Sequence, residues 1–166
     1  MKIVYLFAVL FITSLPAWAQ RNKLTYGPYV ETLINQGKLP AASKVGAGAG
    51  IGMKVQLLTG WSFTASAGYV CFKGSTTQKS VSAADDYQVI PVRLGVEYKL
   101  PVPALYVKIE GGTATIIGHY SGQGTKAIVT PGLGVHLKSL DLEAKYETWV
   151  KENANSSIGV KAALSF

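Results

Sequence analysis

A chain of 166 residues with 16 basic and nine acidic side chains, net charge +7, is long enough for one domain with a packed interior. Its one cysteine, Cys71, excludes an internal disulfide and a cysteine-built metal cluster. The basic excess does not mark a nucleic-acid binder, because the lysines are dispersed and no basic run is interleaved with aromatics.

The first residues have the three parts of a secretory signal: the charge of Lys2, the apolar stretch Ile3 to Leu15, and the small-x-small site Ala17-Trp18-Ala19. Residues 1–19 are therefore expected to be a leader cleaved before Gln20. The apolar stretch is short for a membrane anchor, and no cysteine follows it to carry a lipid. Without Lys2, fifteen basic residues face nine acidic ones, a formal +6 over residues 20–166. That stretch shows no linker or low-complexity break and reads as one domain.

After the leader no apolar run is long enough for a transmembrane helix. Alternation at period two, broken by turn residues, predicts eight strands. They cover Lys23 to Thr32, Lys44 to Gln56, Trp61 to Phe72, Tyr87 to Leu100, Ala104 to Thr115, Lys126 to Lys138, Leu140 to Val150 and Ser157 to Phe166. Most suit a tilted strand crossing a bilayer, which needs about 9–11 residues. Pro28, Pro91 and Pro131 fall inside these strands and oppose the assignment, since proline cannot donate to a ladder. Pro28 makes the first strand the least secure.

In the second strand Gly46, Gly48, Gly50 and Gly52 alternate with Val45, Ala47, Ala49 and Ile51. The spacing is not that of a nucleotide-binding loop and no helix follows. The glycines are expected to leave inner space for bulky neighbours. In the fourth strand Ile90, Val92, Leu94, Val96 and Tyr98 oppose Arg93, Gly95, Glu97 and Lys99. The fifth sets Leu105, Val107 and Ile109 against Tyr106, Lys108 and Glu110. The sixth sets Leu133, Val135 and Leu137 against Gly134 and His136, and the seventh Leu142, Ala144 and Tyr146 against Asp141, Glu143, Lys145 and Glu147. Lipid solvates no charge, so in a membrane the apolar rows face outward and the charged rows inward. The interior network is then Arg93, Glu97, Lys108, Glu110, His136, Glu143, Lys145 and Lys161. A proton path or selectivity filter is a weaker reading, because eight strands enclose only enough room for their own side chains.

Connections alternate between tight ones, at Leu58-Thr59-Gly60, Pro101-Val102-Pro103 and Lys138-Ser139, and long polar ones at Leu33–Ser43, Lys73–Asp86, Ile116–Thr125 and Lys151–Ser156. Bacterial outer-membrane barrels show this rhythm, with the long loops outside the cell. Aromatics near strand ends suggest two interfacial girdles: Trp61, Phe63, Tyr98 and Phe166 by the turns, and Tyr69, Tyr87, Tyr146 and Trp149 by the loops. The last strand keeps Ile158, Val160, Ala162, Leu164 and Phe166 in one apolar row up to a terminal aromatic.

The expected fold is therefore all-β: an eight-stranded antiparallel up-and-down transmembrane β-barrel. The segments Ile90-Pro-Val-Arg-Leu-Gly-Val-Glu-Tyr98, Pro131-Gly-Leu-Gly134, Leu140-Asp-Leu-Glu-Ala-Lys-Tyr-Glu147 and the Phe166 ending resemble the small outer-membrane barrels of Bacteroidota. These porin-family proteins are related in size to the OmpA-like and OmpX-like barrels. The resemblance implies residence in a Gram-negative outer membrane. It also implies insertion by the barrel assembly machinery reading an ending like Leu164-Ser-Phe166, and it implies no common reaction or cofactor.

One constellation points to chemistry. His119 and Ser121 have the His-x-Ser spacing of outer-membrane lipid A deacylases, which are similar eight-stranded barrels, but Gly122-Gln123 replaces the Asn-Ala common there. No acid lies at a matching position on the next strand, so chance is the better reading. Lys44, Lys73, Lys79, Lys126 and Lys151 on the loop side can meet lipopolysaccharide phosphates as point charges. The favoured expectation is a non-enzymatic closed barrel acting through its long loops. The alternatives are a lipid A-acting hydrolase using His119 and Ser121, and a soluble lipocalin-like barrel with its apolar face turned inward around a ligand.

Overall fold

The computed structural model describes residues 24–36, 45–72, 87–117, 124–150 and 156–166. They form eight strands: β1 (Leu24–Asn35), β2 (Val45–Leu58), β3 (Trp61–Phe72), β4 (Tyr87–Lys99), β5 (Leu105–Ile117), β6 (Gly124–Leu137), β7 (Leu140–Val150) and β8 (Ser156–Leu164). Each runs antiparallel to the next, and β8 returns to pair with β1, closing the barrel. Closure leaves no unpaired edge, which lets a sheet lie in a medium without water. No helix occurs among the described residues.

β1 extends three residues past the expected Thr32. Leu33, Ile34 and Asn35 continue the alternation and pair on both sides, with Gly159, Ile158 and Ser157 of β8 and, for the first two, Gly46 and Val45 of β2. Polar composition suggested a loop there, but pairing on both sides sets the strand end. β8 stops at Leu164, yet Phe166 exchanges backbone hydrogen bonds with Tyr26 at 3.0 and 3.2 Å. The closing seam therefore runs to the last residue.

The three prolines are accommodated in one way. Pro28 pairs with Ile51 on the β2 side, while on the other side it falls between the Tyr29–Ala163 pair and the Tyr26–Phe166 hydrogen bonds. Pro91 pairs with Ala114 of β5, and the β3–β4 ladder skips from Ala67–Val92 to Val70–Val89. Pro131 pairs with Ile109 of β5, and the β6–β7 ladder skips from Val129–Thr148 to Gly132–Lys145. Each proline turns its missing donor toward a gap in one ladder and keeps the other ladder whole.

Along every strand one row faces out and one faces in. Outward stand Val30, Ile51, Leu94, Ile109, Leu133 and Val160, all exposed. The inward rows divide along the axis. Toward the long connections Leu33, Val70, Phe72, Val89, Ala114 and Ile128 pack into an apolar plug, with Trp149 against it. Toward the tight turns the bore is polar. Close fitting explains the β2 glycines: a Cβ at Gly46 would lie 2.5 Å from the Phe72 ring, and one at Gly50 2.6 Å from the Tyr29 ring. Bulky side chains from neighbouring strands occupy that space.

Two non-glycine residues, Ala104 (φ 66°) and Lys138 (φ 56°), hold left-handed backbone in the tight turns. That conformation costs an L residue roughly 1–2 kcal/mol. Lys138→Gly is therefore expected to stabilise the barrel by about 1 kcal/mol, read as a higher urea midpoint; an unchanged or lower midpoint would show that the Lys138 side chain contributes more than the strain costs.

Candidate functional site

All six carboxylates among the described residues, Glu31, Glu97, Glu110, Asp141, Glu143 and Glu147, point into the bore. A charge in that position must be paired and hydrogen-bonded or it destabilises the fold strongly. The strands supply partners by alternation, and the pairs gather at three levels.

The deepest level centres on Arg93 of β4, whose side chain is wholly buried. Its Nη2 and Nε donate to Glu147 Oε2 of β7 at 2.6 and 3.0 Å. The same guanidinium reaches Glu31 Oε1 of β1 at 3.4 Å. Lys145 donates to the other Glu31 oxygen, and the Thr130 hydroxyl lies 3.5 Å from Glu147 Oε2. The fork of Arg93 thus spans from β4 to β1 and β7, which a lysine could not do.

At the middle level Lys108 of β5 donates to Glu143 of β7 and lies 3.4 Å from Glu110. The hydroxyl of Thr64 donates to Glu110 at 3.2 Å, and that of Tyr106 reaches Glu143 at 3.5 Å. The Lys161 ammonium sits over the Tyr29 ring, 4.0 Å from its centre, a cation–π contact strengthened by burial.

The third level lies at the turn-side mouth. His136 of β6 stacks on Tyr106 with ring centres 4.3 Å apart. Its Nδ1 is 2.5 Å from Asp141 Oδ1 and its Nε2 3.1 Å from Glu97 Oε1. Lys54 of β2 donates to Glu97 at 3.2 Å and lies 3.8 Å from Asp141. These side chains ring an open vestibule of about 230 Å³. The Ser165 hydroxyl donates to Asp141 at 2.9 Å. It bonds to the acid and not to the imidazole, so this trio is no nucleophile–base pair.

The eight interior residues named from the sequence thus divide among the levels: Arg93 and Lys145 in the deepest; Lys108, Glu110, Glu143 and Lys161 in the middle; Glu97 and His136 at the mouth. That reading left out Glu31, Lys54, Tyr29 and Thr64. The signal for them was the same period-two row: Lys54 continues the glycine row of β2, and Glu31 lies between Tyr29 and Leu33. One girdle assignment needs correction. Trp149 packs inward on the apolar plug, because it continues the row Asp141, Glu143, Lys145 and Glu147. Trp61, Phe63 and Phe166 on the turn side, and Tyr69 and Tyr146 toward the loops, are exposed on the outer wall, as is Leu164. Lys126 is half-buried in β6. His119, Ser121, Lys44, Lys73, Lys79 and Lys151 lie outside the described residues, as does the leader.

No protein-family model and no curated protein matches the chain. Solved structures do. The Yersinia pestis outer membrane protein Ail in a phospholipid nanodisc aligns at 13% identity and a TM-score of 0.57, over 84% of this chain and 99% of that one. The N-terminal barrel of Pseudomonas aeruginosa OprF aligns at 12% identity and a TM-score of 0.53, over 86% and 97%. A de novo designed transmembrane barrel aligns at 15% identity and a TM-score of 0.53, over 86% and 95%. These likenesses concern the fold: this chain has the architecture of a small eight-stranded transmembrane barrel.

Arg93→Met would leave Glu31 and Glu147 facing each other without the shared guanidinium. It is expected to cost about 3–5 kcal/mol in urea unfolding, and adding Glu147→Gln should recover part of that. His136→Phe keeps the stack on Tyr106 but removes both polar contacts. It should cost less, about 1–3 kcal/mol; an equal or larger loss would move the energetic centre from Arg93 to the mouth.

Proposed function

We propose that the protein is exported behind a leader cleaved after Ala19 and resides in a bacterial outer membrane. There it is a closed, non-enzymatic barrel whose long connections form an interaction surface outside the cell. One observation carries this reading: the barrel's polarity is inverted with respect to water. Leu94 is 52% exposed on the outer wall, and its neighbour Arg93 is 0% exposed inside. In water the outer wall would present an apolar belt all around the molecule, whereas a bilayer solvates that belt and leaves the charges to pair within. A soluble ligand carrier needs the opposite arrangement, with apolar rows around its cavity.

The partners follow from the same placement. The outer wall meets lipid acyl chains, and loop-side lysines meet lipopolysaccharide phosphates. The assembly machinery reads the ending Leu164-Ser-Phe166, whose two apolar side chains stand exposed on the outer wall. The segments Ile90–Tyr98 and Leu140–Glu147 favour the small barrels of Bacteroidota as its relatives. With apolar side chains packed into the bore toward the long connections, interaction falls to those connections. Ail, described as an attachment invasion locus protein, shares the fold and supports that assignment.

Urea-washed outer membranes, run on a gel with and without boiling, test the reading. Retained protein with a heat-dependent mobility shift is expected; release by urea without a shift would overturn it. Leu94→Arg places a charge on the lipid-facing wall and is expected to cost roughly 2–4 kcal/mol and to reduce insertion. Insertion at the level of the unsubstituted protein would show that this face does not meet lipid.

A further inference from the structure

The mouth differs from the two levels behind it in how its charges balance. In the deepest level Arg93 and Lys145 stand against Glu31 and Glu147. In the middle Lys108 and Lys161 stand against Glu110 and Glu143. At the mouth Glu97 and Asp141 share one permanently charged partner, Lys54, at 3.2 and 3.8 Å. Lys99 and Lys138 line the same vestibule, but they stand exposed on its rim, where water and salt screen them. The further charge that contacts both acids is the imidazole of His136, when it is protonated.

The same choice appears at a single atom. His136 Nδ1 faces Asp141 Oδ1 at 2.5 Å and donates to it in either charge state. Nε2 faces an acceptor and a donor together, Glu97 Oε1 at 3.1 Å and Lys54 Nζ at 3.3 Å. A ring nitrogen carries a proton or a lone pair, so Nε2 bonds one of these partners and not both. Protonated, it donates to Glu97; neutral, it accepts from Lys54. The stack on Tyr106, 4.3 Å between centres, holds the ring between the two.

The other elements around the ring leave this choice in place. The end of the chain supplies the Ser165 hydroxyl, which donates to Asp141 Oδ2 at 2.9 Å and leaves Oδ1 to the imidazole. β5 supplies Tyr106, whose hydroxyl reaches Glu143 at 3.5 Å, and Glu143 is already paired with Lys108. β1 and β3 bring Thr25 and Ser62 to the vestibule, and neither ionises.

We propose that His136 is a proton-operated clasp at the turn-side mouth. With Nε2 protonated, the ring ties β6 to Glu97 of β4 and Asp141 of β7, and the four side chains balance. Loss of that proton to solvent, through the vestibule that the ring borders, breaks the bond to Glu97. Nε2 then accepts from Lys54 of β2, and the level carries one negative charge in excess. The charged ring meets its two acceptors only in the closed barrel. Its stabilisation is therefore present at low pH and is lost as pH rises through the ring's titration.

Titration of the folded protein in detergent micelles tests this wherever the protein resides. His119→Gln leaves His136 as the one imidazole. The nitrogen-15 shifts of its two ring nitrogens are followed from about pH 5 to 9, a range that brackets histidine titration. Nε2 is expected to lose its proton within that range while Nδ1 keeps its own. The urea midpoint should fall over the same interval, and the fall should be absent from His136→Phe. Glu97→Gln removes the acceptor of the charged form and should move the transition to lower pH by about one unit. If Glu97→Gln loses the heat shift, Lys54→Met replaces it; without the donor to neutral Nε2, the transition should move to higher pH. Loss of the proton from Nδ1 would overturn the proposal, as would a ring that stays in one charge state throughout. A transition that the folded variant leaves unmoved would overturn it equally.

Discussion

The Arg93 guanidinium, wholly buried between Glu147 at 2.6 Å and Glu31 at 3.4 Å, ties the barrel's closure to its electrostatics. The partners lie 54 and 62 residues away in the chain, on β7 and β1, so their meeting depends on the first and last strands joining. An open sheet would leave these charges unmatched. Breaking such a buried pair costs several kcal/mol, more than a surface ion pair supplies. Pairing of this kind disfavours partly closed barrels and slipped registers, because a one-residue slip would turn the charged rows toward the outer wall.

The same closure demands complementarity of volume. Eight strands leave a bore that side chains must fill, and the filling is uneven around the wall. β2 contributes glycines where Tyr29 and Phe72 lean across, and Gly134 of β6 yields to the Tyr106 ring, whose atoms would lie 2.3 Å from a Cβ there. Each large ring is thus set against a small residue. The fit is tight toward the plug and relaxes at Gly52, so the bore has a closed end and an open one.

Much of this was legible in the sequence, and what escaped has a physical reason. Period-two alternation carries strand number, direction and the inward or outward sense of each row, because the pleat allows only two choices. It does not say how far along the axis a residue sits. That depends on register between strands, which is why the eight named interior residues read as one network and proved to be three levels. Glu31 was obscured by Pro28, whose missing donor made β1 doubtful until the seam gap beside it explained the residue. Lys54 was hidden behind four glycines. Trp149 looked like an interface aromatic by its nearness to a strand end, while its row placed it inside. The apolar plug was invisible for a related reason: an inward row of Leu33, Val70 and Phe72 differs from an outward one only through its neighbours in space.

The division of the bore bears on where function can reside. Where Leu33, Val70, Phe72, Val89, Ala114 and Ile128 pack together among the described residues, passage of a solute would require repacking apolar side chains away from the axis. That packing is cooperative, and one side chain cannot leave without opening a void among the others. The turn end has no such seal; there Lys54, His136 and Asp141 are partly exposed at the vestibule. The bore is therefore filled by apolar side chains toward the long connections and is polar and open toward the short turns. The charged interior, which invites comparison with a channel, pairs side chains across β1, β4, β5 and β7 and so holds the closed barrel together.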